Sequence, residues 1–276
     1  MHGLGNSYIY VDGRQQTIDP DQLSKMAIAV ANPYTGIGSD GLIFMEPSKR
    51  ATIKMRIFNK DGSEGKNCGN GIRCVAKYAY EHDYTTSKKL TVETLSGIVE
   101  TAILSHNHSV AHVSVDMGKP ILERSLIPMI GKKDAQVVSE PFEINGHKLA
   151  LTAVSMGNPH AIFFTKELKS DPHVLFGPSI EKDARFPERI NVEFVHVETP
   201  TNLHMRVWER GSGVTQACGT GACAVAVAAV LNGHSKKGEA ITIHLEGGDL
   251  VITWLSTGHV RMDGPAVTVA TGQFTG

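Results

Sequence analysis

Phe58-Asn59-Lys60-Asp61-Gly62-Ser63-Glu64-Gly65-Lys66-Asn67-Cys68-Gly69-Asn70-Gly71 and Trp208-Glu209-Arg210-Gly211-Ser212-Gly213-Val214-Thr215-Gln216-Ala217-Cys218-Gly219-Thr220-Gly221 are one stretch written twice. Each runs from an aromatic and a polar residue through a glycine-rich turn to Cys-Gly-polar-Gly, and the registers agree without a gap at an offset of 150 residues. The offset continues outward. Leu90–Val99 answers Ala240–Asp249, setting Gly97 against Gly247, and Gly3-Leu4-Gly5-Asn6 answers Ser155-Met156-Gly157-Asn158. Val115-Asp116-Met117-Gly118 answers Arg261-Met262-Asp263-Gly264 after a small deletion. A period this long exceeds that of a solenoid and indicates duplication of a whole domain. Two such domains are expected to pack about a pseudo-two-fold axis, with a small-molecule site in the cleft between them.

A chain of 276 residues has room for two domains of ordinary size. The break is expected near Gly118-Lys119-Pro120, giving a first half of 1–118, joined by a strand near 265–276, and a second of 119–264. A net charge of −1 gives no electrostatic case for a nucleic-acid or anionic-membrane partner. No apolar run reaches the ~18–20 residues of a spanning helix. Met1-His2-Gly3-Leu4-Gly5-Asn6 lacks a basic segment followed by an apolar one, so no signal peptide is expected and the cytoplasm is the expected compartment. The four cysteines, Cys68, Cys74, Cys218 and Cys223, contain no Cys-x-x-Cys pair and do not form a zinc pattern.

Most elements read as strands: short runs of Val, Ile, Thr and aromatics broken by Gly, Pro or polar turns. In the first half these are Ser7–Val11, Gly41–Phe44, Ile53–Phe58, Leu90–Glu93, Ile98–Ile103 and His112–Asp116. In the second they are Val154–Met156, Ala161–Thr165, Val192–Val197, Leu203–Trp208, Ile241–Leu245, Leu250–Leu255 and His259–Asp263. Asp19 as cap, Pro20 in the first turn and Pro33 beyond the end predict a helix over 20–32. Helices also follow both motif cysteines, over Ile72–Tyr80 and Ala222–Leu231. The second is apolar almost all round, so it is expected to be buried in the middle of its own half. Cys74 and Cys223 lie inside these helices and read as core.

Cys68 and Cys218 stand at the helix mouths. A helix N-terminus offers unpaired N–H donors and about half a positive charge. It is therefore expected to lower the thiol pKa and to hold a carboxylate on the N–H groups of Gly69, Asn70, Gly219 and Thr220. Two thiols flanking one carboxylate suit proton exchange at the α-carbon of an amino acid. One thiolate removes the proton, the other thiol returns one to the opposite face, and charge developing on the carboxylate meets the helix N-termini.

The residues carry a resemblance. Asn59-x-Asp61-Gly62-Ser63-Glu64 leading to Cys68-Gly69-Asn70-Gly71-x-Arg73-Cys74 resembles the first signature of the diaminopimelate epimerases, and Trp208-Glu209-Arg210-Gly211 leading to Ala217-Cys218-Gly219-Thr220-Gly221 is similar to the second. Met1–Asn6, Gly36–Gly41, Gly157-Asn158-Pro159-His160 and Glu188–Val192 match in order. The resemblance implies an α/β fold of the α+β type: two pseudo-symmetric domains, each a mixed, mostly antiparallel sheet wrapped around a central helix. It implies Cys68 and Cys218 as the acid–base pair, with Gly69, Asn70, Gly219 and Thr220 on the reacting carboxylate. It also implies Asn59, Asn158, Asn191, Glu209, Arg210 and Asn6 on the distal amino-carboxylate end. A zwitterionic end needs a cation, an anion and neutral amides, which that set contains. No pyridoxal phosphate, other cofactor or metal is expected, and the partners implied are an amino-acid substrate and a second copy of the chain in a homodimer.

Other readings have weaker support. Two structural thiols would not both stand before helices in polar sequence, and a thiol redox protein would not need Glu209 and Arg210. A racemase of a single-headed amino acid such as histidine would keep the cysteine pair and change the distal pocket. An amino-acid-binding protein without turnover would not need both thiols. Gly36-Ile37-Gly38-Ser39-Asp40-Gly41 fits G-x-G-x-x-G, yet it precedes a strand and is read as a turn. His106, His108 and His112 fall across a polar hairpin and read as a solvated turn rather than a metal site.

Overall fold

The structure is a computed structural model that describes residues 1–15, 18–65, 69–106 and 109–275. Cys68 lies outside the described residues. Contacts divide the chain into two units, Met1–Asp116 with Asp263–Gly276, and Met117–Met262.

The strands of the first unit are β1 (His2–Gly3), β2 (Asn6–Ser7), β3 (Ile9–Asp12), β4 (Gly41–Glu46), β5 (Ile53–Asn59), β6 (Glu64–Gly65), β7 (Lys89–Thr94), β8 (Gly97–His106) and β9 (Ser109–Asp116). Those of the second are β10 (Glu140–Ile144), β11 (His147–Ser155), β12 (Pro159–Thr165), β13 (Asn191–Thr199), β14 (Asn202–Glu209), β15 (Gly213–Val214), β16 (Ala240–Leu245), β17 (Gly248–Trp254) and β18 (Val260–Pro265), whose last three residues belong to the first unit. The helices are α1 (Leu23–Ala31), α2 (Gly69–Glu81), α3 (Pro172–Glu181) and α4 (Gly219–Leu231).

Within the first unit the sheet order is β3-β4-β5-β7-β8-β9, and within the second it is β10-β11-β12-β13-β14-β16-β17-β18. Parallel pairs recur at equivalent places: β3 with β4 and β5 with β7 in one unit, β12 with β13 and β14 with β16 in the other. β4 pairs antiparallel with β5, β7 with β8 and β8 with β9, as do β10 with β11, β11 with β12, β13 with β14 and β16 with β17. Each sheet wraps a helix. α2 packs on β1, β5, β7, β8 and β9, and α4 on β11, β12, β13, β16 and β17. Every residue from Ala222 to Ala229 is fully buried, so Val225 and Val227 each contribute about 2 kcal/mol of apolar burial. Cys74 and Cys223 are buried in these two helices, as expected.

The repeat is visible in how the helices end. Asp83 and Gly233 both take positive φ (+58° and +74°) after α2 and α4. The next residue in each case bonds back to the helix: Tyr84 N–H to Ala79 C=O and His234 N–H to Ala229 C=O, both at 2.9 Å. This is the Schellman arrangement, repeated at the offset of the cysteines. The following hairpins are displaced by one more residue. Thr94 pairs with Gly97 and Leu245 with Gly248, at φ +122° and +126°. Gly248, not Gly247, is therefore the counterpart of Gly97, because the first position of the returning strand needs the glycine-favouring conformation.

The helix predicted over 20–32 begins with a single 3-10 turn, Pro20–Gln22, and Asp19 caps it by accepting from Asp21 N–H at 3.0 Å. α1 then lays Leu23, Ala27 and Val30 on Leu42, Phe44 and Phe58. Gly36–Gly41 is a turn. Gly41 opens β4 beside Asn59, where a Cβ would lie 2.0 Å from Phe58 O. Of the three turn histidines, His112 is exposed and His108 lies outside the described residues.

Asp12 ties the end of β3 to the segment after α2. Tyr84 Oη donates to it at 2.5 Å, Tyr78 Oη at 3.1 Å and Arg14 N–H at 2.8 Å, and the Arg14 guanidinium lies over the Tyr84 ring. Burial pushes the Asp12 carboxyl up, but these hydrogen bonds outweigh it and hold the group below its ordinary value. Burial and Asp12 push Tyr78 up to about 12. A depressed carboxyl stabilises the fold above the unfolded pKa of about 3.9, and that stability disappears as pH falls through the folded value. Asp12→Ala is expected to cost about 2 kcal/mol in urea unfolding at pH 7. The difference from wild type should shrink below about pH 4; a difference constant with pH would contradict an ionised Asp12.

Candidate active site

Cys218 is the N-cap of α4, with extended backbone (φ −121°, ψ 107°). Its Sγ accepts from Gly221 N–H at 3.3 Å and lies 3.5 Å from Thr220 Oγ1. The first intrahelical bond runs from Ala222 N–H to Cys218 C=O. That leaves the N–H groups of Gly219 and Thr220 as the donors of the helix mouth. A Cβ on Gly221 would lie 3.2 Å from the sulfur and 2.8 Å from Glu193 Oε1. Glycine here permits the close approach of cap, helix and strand.

The thiol is 5 % exposed and sits among carboxylates. Burial pushes it well above its ordinary range, and Glu209 and then Glu193 push it further. Its contacts to Thr220 and Gly221 N–H pull the other way without winning. The expectation of a lowered pKa is therefore reversed at Cys218. Desolvation disfavours the thiolate more than the helix N-terminus favours it, so Cys218 is in the thiol form at neutral pH. Glu209 is also raised by burial; it accepts from Thr215 Oγ1 at 2.5 Å and from the Cys218 thiol.

Behind the sulfur lies a pair that sequence reading did not assign. His160 Nδ1 and Glu193 Oε1 are 2.6 Å apart, and both side chains are fully buried. His160 Nε2 lies 3.2 Å from Asn158 Oδ1, and Asn158 Nδ2 donates to Thr220 Oγ1 at 3.2 Å. A continuous polar chain thus runs from Glu193 through His160, Asn158 and Thr220 to the thiol. Burial pushes Glu193 up against the attraction of His160. The signal was available: Glu193 stands in a run of Val192, Phe194 and Val195, and a charge inside a buried strand needs a partner. The partner, His160, was invisible because it arrives from β12 through the parallel register that sets His160 beside Asn191.

The second unit brings together Asn158, Asn191, Glu209, Arg210, Cys218, Gly219 and Thr220. Asn191 is buried, donates to Pro159 O at 2.8 Å and accepts from Arg210 N–H at 2.9 Å, so its side chain shapes the surrounding backbone. Arg210 is exposed and donates to Glu188 O at 3.0 Å. Glu181, at the end of α3, accepts from Trp208 Nε1 at 2.8 Å and Gly211 N–H at 3.0 Å, which fixes the turn carrying Glu209 and Arg210.

In the first unit, Asp40 gathers the polar residues. It accepts from Asn6 Nδ2 at 2.9 Å and Ser7 N–H at 2.8 Å, and its carbonyl accepts from Lys60 N–H beside Asn59. Asn59 donates to Ser63 Oγ at 3.0 Å. Gly69 and Asn70 open α2, and buried Arg73 holds that turn by donating to Asn70 Oδ1 at 3.0 Å and Pro265 O at 3.0 Å. Gly3 lies against the same turn, where a Cβ would meet Arg73 Nη2 at 2.8 Å. Asn6 and Asn70 are thereby held on neighbouring segments.

A second-unit helix mouth with a buried thiol, a carboxylate at the sulfur and an imidazole–carboxylate pair behind it can hold a carboxylate and deliver a proton to carbon. Known proteins share the arrangement's sequence. The family model for diaminopimelate epimerase matches residues 1–123 and 152–269. A diaminopimelate epimerase of Geobacillus sp. (strain WCH70) is 57% identical over 274 residues, 99% of this chain and 96% of that protein. That of Bacillus subtilis (strain 168) is 56% identical over the same coverage. Among solved structures, a phenazine biosynthesis protein of the PhzF family from Bacillus anthracis superposes with a TM-score of 0.68 at 18% identity, covering 95% of this chain and 90% of that one. A hydroxyproline epimerase from Agrobacterium vitis superposes with a TM-score of 0.62 at 15% identity, covering 98% and 88%. The last two establish the shared two-domain α/β fold, and the sequence matches establish kinship: the chain belongs to the diaminopimelate epimerase family and is an isomerase.

Proposed function

We propose that this chain interconverts LL- and meso-diaminopimelate by moving the proton at one α-carbon, a step of lysine and cell-wall precursor synthesis. The observation that carries the reading is the buried Cys218 thiol at the mouth of α4, in a chain more than half identical to proteins named for this reaction. Inversion needs a second base on the other face of the carbon, and the repeat assigns that part to Cys68. The Cys68 thiolate takes the α-proton, and the C–H electron pair moves into the carboxylate as an enediolate. Cys218 S–H then protonates the opposite face, leaving Cys68 as thiol and Cys218 as thiolate. The reverse reaction exchanges these parts. The N–H groups of Gly69, Asn70, Gly219 and Thr220 take the carboxylate, where the negative charge grows. Asn6, Asn59, Asn158, Asn191, Glu209 and Arg210 form the distal pocket, with Asn191 acting through the backbone it holds. The proton transfers themselves require no pyridoxal phosphate or metal. The free thiols of Cys74 and Cys218 suit a cytoplasmic enzyme. Among the described residues no helix is long and apolar enough to cross a membrane.

The experiment is α-proton exchange in D2O, followed by proton NMR under reducing conditions without added cofactor. Exchange with inversion confined to diaminopimelate is the expected result. Exchange confined to a single-headed amino acid such as histidine would move the function to a racemase while keeping the cysteines in place. No exchange on any amino acid would overturn the reading.

A further inference from the structure

Four titratable side chains stand in line across β13, β14, β16 and β17. His196 is opposite His204, His204 opposite His244, and His244 opposite Asp249. Directly opposed residues share a sheet face, and the imidazole centroids are 6.1 and 4.7 Å apart along the row. Glu198, at the end of β13, brings Oε2 to 2.9 Å from His204 Nε2. Glu198, His204 and His244 each offer a ligand atom, and the three atoms lie within 4.8 Å of one another. His244 Nδ1 is 2.8 Å from Asp249 Oδ1, and His196 Nδ1 is buried without a hydrogen-bond partner among the described residues.

We propose that Glu198, His204 and His244 bind a divalent transition cation of the zinc, cobalt or nickel kind, with Asp249 orienting His244. Two imidazoles and a carboxylate form the nitrogen–oxygen set that such ions take. The Asp249 bond reproduces the carboxylate–histidine partnership that fixes tautomer and ring orientation at metal centres. The His204 and His244 rings are stacked with planes 28° apart, and an ion entering between the ligand atoms replaces the His204–Glu198 hydrogen bond at 2.9 Å and the His244–Asn202 one at 3.3 Å. The three side chains are 57%, 40% and 28% exposed for Glu198, His204 and His244, so the ion enters from solvent. Glu198 is five residues along β13 from Glu193, about 17 Å at strand rise, so the site is separate from the thiol. An ion there would join β13, β14 and β16.

The test titrates CoCl2 and ZnCl2 into the full chain carrying Cys68→Ser and Cys218→Ser, stripped with chelator, by calorimetry and visible absorption. One equivalent of either ion is expected to bind, with a cobalt d–d spectrum and a raised Tm. His204→Ala and His244→Ala should each weaken binding at least tenfold, and Asp249→Asn by about tenfold. In the cysteine-intact chain, His204→Ala should retain epimerase activity, which verifies that the variant folds. Absence of binding before the histidines are changed, or binding undiminished in both histidine variants, would overturn the proposal.

Discussion

Cys218→Ser is expected to lose turnover by at least about a thousandfold, within the range general acid–base groups contribute, while folding at least as stably as the wild type. The second half of that expectation comes from the cap. Cys218 occupies the position before α4 at which serine is among the most favourable residues, and its Sγ already accepts from Gly221 N–H at 3.3 Å. A hydroxyl there makes the stronger acceptor. As an acid, however, serine is far weaker than a thiol, and the carboxylates of Glu209 and Glu193 that already hold the thiol protonated would act on it equally. Thermal unfolding, diaminopimelate affinity and proton exchange measured on one sample separate the two effects. Unchanged or raised Tm with retained binding and lost exchange is the predicted pattern. Exchange above a tenth of the wild-type rate would remove Cys218 from the acid–base pair.

That this residue could be singled out at all rests on a repeat the chain has kept in its most constrained parts. The motif cysteines, the helix starts at Gly69 and Gly219 and the positive-φ residues after the helices keep one offset, because each is fixed by backbone geometry rather than by side-chain packing. The helix predicted to end at Leu231 does so, ahead of Gly233, whereas the stop of the first is hidden in the sequence because Asp83 adopts the left-handed conformation without being glycine. α3 was missed for a similar reason. Gly177 and Pro178 in its interior argue against a helix, yet a Cβ at 177 would lie 2.6 Å from the Trp208 side chain. Glycine is retained there so that Glu181 can reach the Trp208–Gly211 turn. β10 was missed because it carries Pro141, which the strand tolerates at the edge of the sheet. β10 has no counterpart in the first unit, whose sheet ends at β3. α3, by contrast, answers α1: Leu23–Ala31 shifted by 150 falls on 173–181, and each helix joins a parallel strand pair, so the repeat could have reported α3 despite its Gly-Pro. A different limit applies to the thiol's ionisation. A helix N-terminus is visible in sequence, but the surrounding carboxylates are assembled from β13 and β14 by tertiary structure.

Glu193→Gln is expected to lower kcat about a hundredfold and to move the alkaline limb of the kcat/KM profile to lower pH. In the wild type, Glu193 Oε1 lies 2.6 Å from His160 Nδ1, and His160 Nε2 lies 3.2 Å from Asn158 Oδ1. Glutamine has nearly the same shape but offers no ionisable oxygen. A cationic His160 would then be left uncompensated in the interior, which is costly. A neutral one accepts from the glutamine amide at Nδ1 and goes on donating from Nε2 to Asn158 Oδ1, which keeps Asn158 on Thr220, the residue next to the sulfur. Either way the carboxylate that acts on Cys218 is gone. The sign of the pH shift follows from charge: Glu193 raises the thiol, so removing its negative charge lets Cys218 ionise at lower pH, and the form able to donate a proton is lost earlier as pH rises. A merely structural Glu193 would lower Tm and leave the limb in place. Rates and Tm for Glu193→Gln beside Glu193→Asp, which restores a carboxylate at shorter reach, decide between these. An unshifted limb in the glutamine variant would show that the pair supports the strand and does not tune the thiol.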